Sequence, residues 1–533
     1  MPRSTSPKFS GLFADETEPD SHWIRERGVL TLPPLTGVGE IVIEGEVLPP
    51  SPADGTAAGS LGLTAVFDER VVAHVADLPV GPFRLCFAPT APVHAGHHLA
   101  LQLHGVAGGN VLAWLGRVTG LGPLQRWRRQ ARNRRLRIRR VLADREVLFD
   151  FANRASPWNN AFNRRHLKLG LNVVGYFRAD LGVGESARCM ARAADRADLT
   201  TALIDLRLPC KNPFTDDSFA ARLVREPTQR VTVVHVDPPG MRDLEHHHGP
   251  ALHTDRYLVG YWAWELPEFP DAWVQFAEFC DEIWTPSRFT TAAIAEKVPV
   301  PVLTMPHAIG FERPVGDFRA KFGLPRDQFL FLFLYDLNSY SARKNPAAVL
   351  EAFRRSGLAG RGAALVIKVH NAAGNPEDFA RLQAAAAELP GTTLINATLS
   401  RRDIYELESA CDCFVSLHRS EGFGFAIAEA MYLGKPVIST DWSGSTDFVT
   451  PENGCPVRAR LITLDRNHGP YAKGQTWADP DVDHAAEWMQ RLFADRALGA
   501  RLGRAAQRTM EEQFSPAAIG ARYRRRLEVI AGW

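Results

Sequence analysis

No uncharged apolar run in the chain approaches the length needed to span a bilayer. The opening MPRSTSPKFSGLFADETEPD also lacks the apolar core of a secretory signal. A cytoplasmic protein is therefore expected. Net charge is equally scarce: 62 basic against 60 acidic side chains leave +2, which gives no global reason to expect a nucleic-acid partner. Seven cysteines, an odd number with no CxxC pair, speak against a disulfide framework, a zinc site or a redox motif, and fit a reducing compartment. What is present is ordinary for a globular chain, 45% hydrophobic and 23% charged, but 533 residues are too many for one core. Two or three domains are expected.

Residues 1–22 read as a flexible N-terminus. From 23 to 115, short apolar runs alternate with Gly and Pro turns (VLTLPPL, GEIVIEGEVL, LGLTAVFD, FRLCFAP, HHLALQLHGV), the pattern of a small all-β sandwich-like domain, with 51–59 as a hairpin loop. Its duty is structural or oligomerising ahead of sugar-binding. Residues 116–165 read as a basic helical linker carrying Arg126, Arg128, Arg129, Arg132, Arg134, Arg135, Arg137, Arg139 and Arg140. Such a helix is a solvated connection, packs on an acidic protein face, rests on an anionic membrane surface through its Leu, Trp and Ile contacts, or meets nucleic acid locally.

At 166 the pattern changes. The apolar strand LNVVGY meets a glycine loop (Gly182, Gly184) and an Ala-rich helix that opens with Glu185 and Ser186, so backbone N–H groups there can face a phosphate or an acceptor. Strands at 200–206, 231–236, 257–264 and 282–285 alternate with helical or loop segments, which predicts a parallel α/β sheet over 166–312 with its site at the carboxyl ends of the strands. Two of those ends carry conspicuous chemistry. One is VVHVDPPG with His235, a cleft residue or a satisfied buried histidine. The other is GYWAWELPEFP with Trp264, Glu265 and Glu268. Adjacent residues His246, His247 and His248 point in different directions and make a poor metal set.

A Pro-punctuated connection then leads to a second unit, 313–533. Its first strand, QFLFLFLYD, precedes Arg343 and Lys344, two adjacent cations fit to neutralise a diphosphate; Lys368 in LVIKVH is a further cation of open role. Farther on, SLHRSEGFGFAIAEAMYLGKPVISTDWSGSTDFV places Glu421 in a glycine turn (Gly422, Phe423, Gly424) and Glu429 in the following helix. Carboxylates accept hydrogen bonds from paired hydroxyls, so Glu421 can hold a sugar and Glu429 a ribose, with phosphates near the helix N-terminus. A second glycine turn follows at Ser443 and Gly444.

These residues, two glutamates with seven residues between them followed by Gly434, Lys435 and Pro436, resemble the donor site of glycosyltransferase family 4. The resemblance implies a GT-B fold of two facing Rossmann-like domains and a retaining transfer from a nucleotide-sugar to a glycan or lipid-linked acceptor, in polysaccharide or cell-surface glycan biosynthesis. It implies a terminal helix crossing back onto the first domain, and neither a metal nor a cofactor. Glu421, Lys344, Arg343 and Glu265 would serve the reaction. Glu429, Gly422, Phe423, Gly424, Ser443 and Gly444 would hold the donor, and Gly182, Gly184, Glu185, His235 and Trp264 would line the acceptor cleft. Asp447 departs from the glutamate common in relatives. Trp264-Glu265 departs from a common histidine. The front domain is similar to sandwich modules attached to carbohydrate-active enzymes, and a degenerate, non-catalytic scaffold or glycan-binding protein is the competing reading.

Overall fold

The computed structural model describes residues 9–14, 22–32, 38–49, 61–67, 70–89, 98–104, 136–150, 167–249, 252 and 256–531. The N-terminal strands are β1 (Phe9–Ala14), β2 (His22–Thr31), β3 (Ile41–Val47), β4 (Leu61–Phe67), β5 (Arg70–Leu78), β6 (Gly81–Phe87), β7 (His98–His104), β8 (Leu136–Ala143) and β9 (Glu146–Asp150). They form one antiparallel nine-stranded sheet in the order β5-β4-β7-β2-β8-β3-β6, with β1 on β2 and β9 on β8. The two end strands, β5 and β6, are neighbours in the chain, joined through residues 79–80. The sheet therefore curls round on itself, and its inner face closes over one core that includes Leu30, Ile41, Ile43, Leu63, Leu99, Leu101, Leu136, Ile138 and Val141.

Three expectations do not hold. The basic segment is not helical where it is described: 136–143 is a strand flanked by β2 and β3. Its pairing with β3 slips between Glu44 and Gly45, an irregularity that leaves both Arg139 and Arg140 exposed. That slip breaks the two-residue alternation, which is why the segment reads like a helix face. Arg139 pairs with Glu46 at 2.8 Å and Arg137 is buried, while Arg126 to Arg135 lie outside the described residues. The β domain also does not end at 115, because β8 and β9 extend it to Asp150. Nor is 1–22 wholly without structure, since β1 lies within it and pairs with β2.

Lobe one is a parallel sheet of β10 (Lys168–Gly175), β11 (Thr201–Asp205), β12 (Gln229–His235), β13 (Tyr257–Tyr261), β14 (Glu282–Thr285) and β15 (Val302–Thr304), in the order β11-β10-β12-β13-β14-β15. Lobe two has β16 (Phe329–Asp336), β17 (Ala363–His370), β18 (Thr392–Asn396), β19 (Cys413–Ser416), β20 (Val437–Thr440) and β21 (Cys455–Val457), in the order β18-β17-β16-β19-β20-β21, followed by a hairpin of β22 (Ala459–Thr463) and β23 (Thr476–Pro480). In lobe two the connections leaving β16 and β19, adjacent strands, run to opposite sides. That is the switch point at which open α/β sheets bind ligands.

Six helices position the site or join the lobes: α1 (Gly182–Arg196), α2 (Arg288–Ala295), α3 (Ser341–Lys344), α4 (Arg401–Ala410), α5 (Phe425–Tyr432) and α6 (Pro516–Ala531). The chain's last helix, α6, leaves lobe two and packs on α1 of lobe one. Gly520 permits the approach, because a Cβ there would lie 2.2 Å from the Ala193 carbonyl oxygen. Tyr523 stacks on Trp284 with centroids 5.5 Å apart, and Arg526 pairs with the fully buried Glu282. Among the described residues no helix is long and apolar enough to cross a membrane.

Candidate functional site

The two connections at the lobe-two switch point are built for close approach. After β16, Tyr340 (φ 64°) and Asn345 (φ 58°) bracket the single turn α3, so that Arg343 and Lys344 leave it together. After β19, Gly424 at φ 101° starts α5 directly behind Glu421. Asn345 ties the loops by donating to the Leu417 carbonyl at 2.9 Å, and the Arg343 guanidinium donates to the Ser420 carbonyl at 2.9 Å. The second glycine turn braces the first. The Glu421 amide donates to Ser443 Oγ at 2.8 Å and the Gly444 amide to the Glu421 carbonyl at 2.9 Å.

Glu421 bonds both cations, to Lys344 Nζ at 2.5 Å and Arg343 Nη1 at 3.1 Å. Burial alone would raise its carboxyl, but Lys344 and Arg343 outweigh that and hold it at about 2. Lys344 shifts the unfavourable way for a cation. Burial lowers it, with Arg343 adding, against the pull of Glu421. A cation pressed toward neutrality gains from any further anion brought beside it. Glu265 of lobe one completes the group, with Oε1 3.9 Å from Arg343 Nη2.

Glu429, buried in α5, faces Arg401 of α4, which contacts Glu185 of lobe one at 3.8 Å. Glu185 is bound in addition by Arg188 at 2.8 Å and by Arg192. Burial would raise Glu185, yet these three arginines hold it well below the usual carboxylate range. The expected acceptor ligand is thus a fully engaged ion-pair partner that joins the lobes through Arg401.

Other expected cleft residues are structural. His235 is fully buried, bonded to Ser186 Oγ at 2.7 Å and stacked on Tyr261; burial, with His307 adding, keeps it neutral. Trp264 is 1% exposed and donates to the Glu268 carbonyl at 2.8 Å. Phe423 turns into the core against Phe448 and His307, leaving only its backbone at the turn. Gly184 lies under the Tyr176 carbonyl, 2.5 Å from where a Cβ would stand, whereas Gly182 has open space beside it at the start of α1. Asp447 accepts from the Arg288 amide and guanidinium at 2.8 and 3.0 Å, so this residue fastens lobe one. His248 accepts from the Arg207 amide, and no group of three or more metal-ligating side chains occurs among the described residues.

The lobes meet around the site. Ser287 donates to the Gly422 carbonyl at 2.6 Å, Ser420 to the Glu265 carbonyl, and Asn212 to Asp336 at 2.9 Å. Sequence reasoning missed Arg401, Tyr471 and the partners Asp336 and His370 of Lys368, whose role it left open. Arg401 and Tyr471 sit in ordinary helical or loop context, and only the fold brings them to the cleft. Lys368 lies 3.2 Å from His370, and His370 lies 3.5 Å from Asp336; the three share one face of adjacent strand ends, a placement that follows from β16 pairing with β17.

Residues 315–509, the segment holding Arg343, Lys344, Glu421 and Glu429, match the model of the family Glycosyl transferases group 1. No curated protein matches the sequence. Among solved structures, HepE from Anabaena, in complex with UDP and glucose, aligns with a TM-score of 0.51 and 14% identity over 68% of this chain and 100% of its own. A glycosyltransferase from Rickettsia africae aligns with a TM-score of 0.50 and 14% identity over 68% and 98%. At such identity the likeness is one of fold. The two parallel lobes form a GT-B fold, and the curled antiparallel sheet is an addition in front of it.

Proposed function

We propose that the protein is a glycosyltransferase that moves a sugar from a nucleotide-sugar donor to a glycan or lipid-linked acceptor, with retention at the transferred carbon, in the manner of family 4. The observation that carries this reading is the pair Arg343 and Lys344 held against Glu421 at the lobe-two switch point, inside the matched segment. Departure of a nucleoside diphosphate builds negative charge. The two cations and the amides at the start of α5 can stabilise that charge where water is excluded, without a metal ion. In this scheme phosphate and Glu421 compete for the same cations. Donor binding releases the carboxylate to accept from sugar hydroxyls, and Glu429, whose partner Arg401 is already shared with Glu185, accepts from the ribose.

HepE is described with UDP and glucose, so UDP-glucose is the first donor to try. A nucleotide-sugar panel read by hydrolysis and by thermal stabilisation tests the reading. We expect one nucleotide-sugar to be bound and turned over, and silence toward the whole panel would refute it.

A further inference from the structure

The hairpin β22–β23 and its connection belong to lobe two in sequence but pack on lobe one. Leu464, Tyr471 and Trp477 are buried in the same apolar cluster as Trp262, Trp264 and Phe269. Where the connection enters β23 it is tied to both lobes: Gln475 donates to the Glu268 carbonyl of lobe one at 3.1 Å, and the Ala478 amide donates to the Arg419 carbonyl, two residues before Glu421, at 2.9 Å.

Within the connection, just before these ties, the Tyr471 hydroxyl donates to Glu265 Oε2 at 3.0 Å, and its ring lies 5.8 Å from the Arg343 guanidinium carbon. Tyr471 is 3% exposed, so it acts through these two neighbours and not on a substrate. Burial, with Glu265 adding, keeps the phenol protonated and therefore a donor. The geometry has a clear electrostatic effect. Glu265 stands 3.9 Å from Arg343, too far for a hydrogen bond, and its other oxygen is held by the tyrosine. Without that hold the carboxylate would close on the guanidinium and neutralise a charge the leaving diphosphate needs.

We propose that the hairpin is a strap from lobe two onto lobe one and that Tyr471 is a positioning residue for transfer, restraining Glu265 with its hydroxyl and seating Arg343 with its ring. The inference rests on the glycosyltransferase reading of the site. The test is a double-mutant cycle on the full chain with Tyr471→Phe, which keeps the ring, and Glu265→Gln. Its readouts are kcat/KM for UDP-glucose hydrolysis, or for whichever panel sugar the wild type turns over fastest, and urea unfolding. We expect Tyr471→Phe to lower kcat/KM about tenfold in the wild-type background and less than about twofold in the Glu265→Gln background. A merely structural role would lower stability and activity by the same factor in both backgrounds. Equal losses in the two backgrounds, or a fully active Tyr471→Phe, would overturn the inference while leaving the enzyme reading intact. A wild type that neither binds nor turns over any nucleotide-sugar removes both.

Discussion

At the scale of single residues, Glu421 separates two roles that a binding site usually mixes. Its carboxylate opposes the cations a diphosphate would use, yet in our reading it is needed at the sugar. Glu421→Gln should therefore lower turnover by about two to three orders of magnitude while UDP binds as tightly as before or more so. Kinetics beside calorimetric UDP titration check this, and a parallel loss of UDP affinity would contradict it. Lys344→Ala should weaken UDP binding as well as slow transfer, because its partner charge exists in donor and product alike. Lys368 offers a test by pH. Burial lowers it from 10.5 to about 8, against the pull of Asp336. Because the native pKa is the lower one, the folded chain holds fewer protons than the unfolded chain between about 8 and 10.5, and the penalty is complete below 8. Lys368→Met should thus be more stable than wild type at about pH 7, by on the order of 1–3 kcal/mol, with the gap closing above about pH 10. Urea unfolding at both pH values reads it.

At the scale of elements, the donor-side turns depend on two loops that almost touch. A Cβ on Gly444 would lie 2.2 Å from the Gly422 carbonyl oxygen, so Gly444→Ala should push the turns apart, destabilise the protein by about 1–3 kcal/mol and weaken UDP binding. Thermal unfolding and the same titration check that. This scale is also where the sequence was most legible. The strands of lobe one lie close to where apolar runs and Gly or Pro breaks put them, and the glycine turn around Glu421 shows in the sequence as the end of a buried strand. What was hidden has physical reasons. The slip at Arg139 broke the alternation of β8, and no local pattern betrays a contact such as that of Arg401 with Glu185 of the other lobe, far along the chain. His235 and Trp264 show the same limit, since a strand end can point a side chain into the core as readily as into a cleft.

At the scale of the whole molecule, α6 makes lobe one depend on the end of the chain. Ile519, Tyr523, Leu527 and Ile530 are buried against the core of lobe one together with Met190 and Trp284. A chain ending at Phe514 should expose that face and lose solubility, which soluble yield and binding of a hydrophobic dye would show. The curled front sheet has a different consequence. Its outermost strands in hydrogen-bonding order, β5 and β6, are successive in the chain and approach each other at the turn 79–80 without pairing. An open antiparallel sheet offers its border strands as templates on which other chains can add, a common start of aggregation. Here neither border strand is paired on its outer side among the described residues, and the exposed charges they carry, among them Arg70 and Asp77 on β5 and Arg84 on β6, are what stands against such addition.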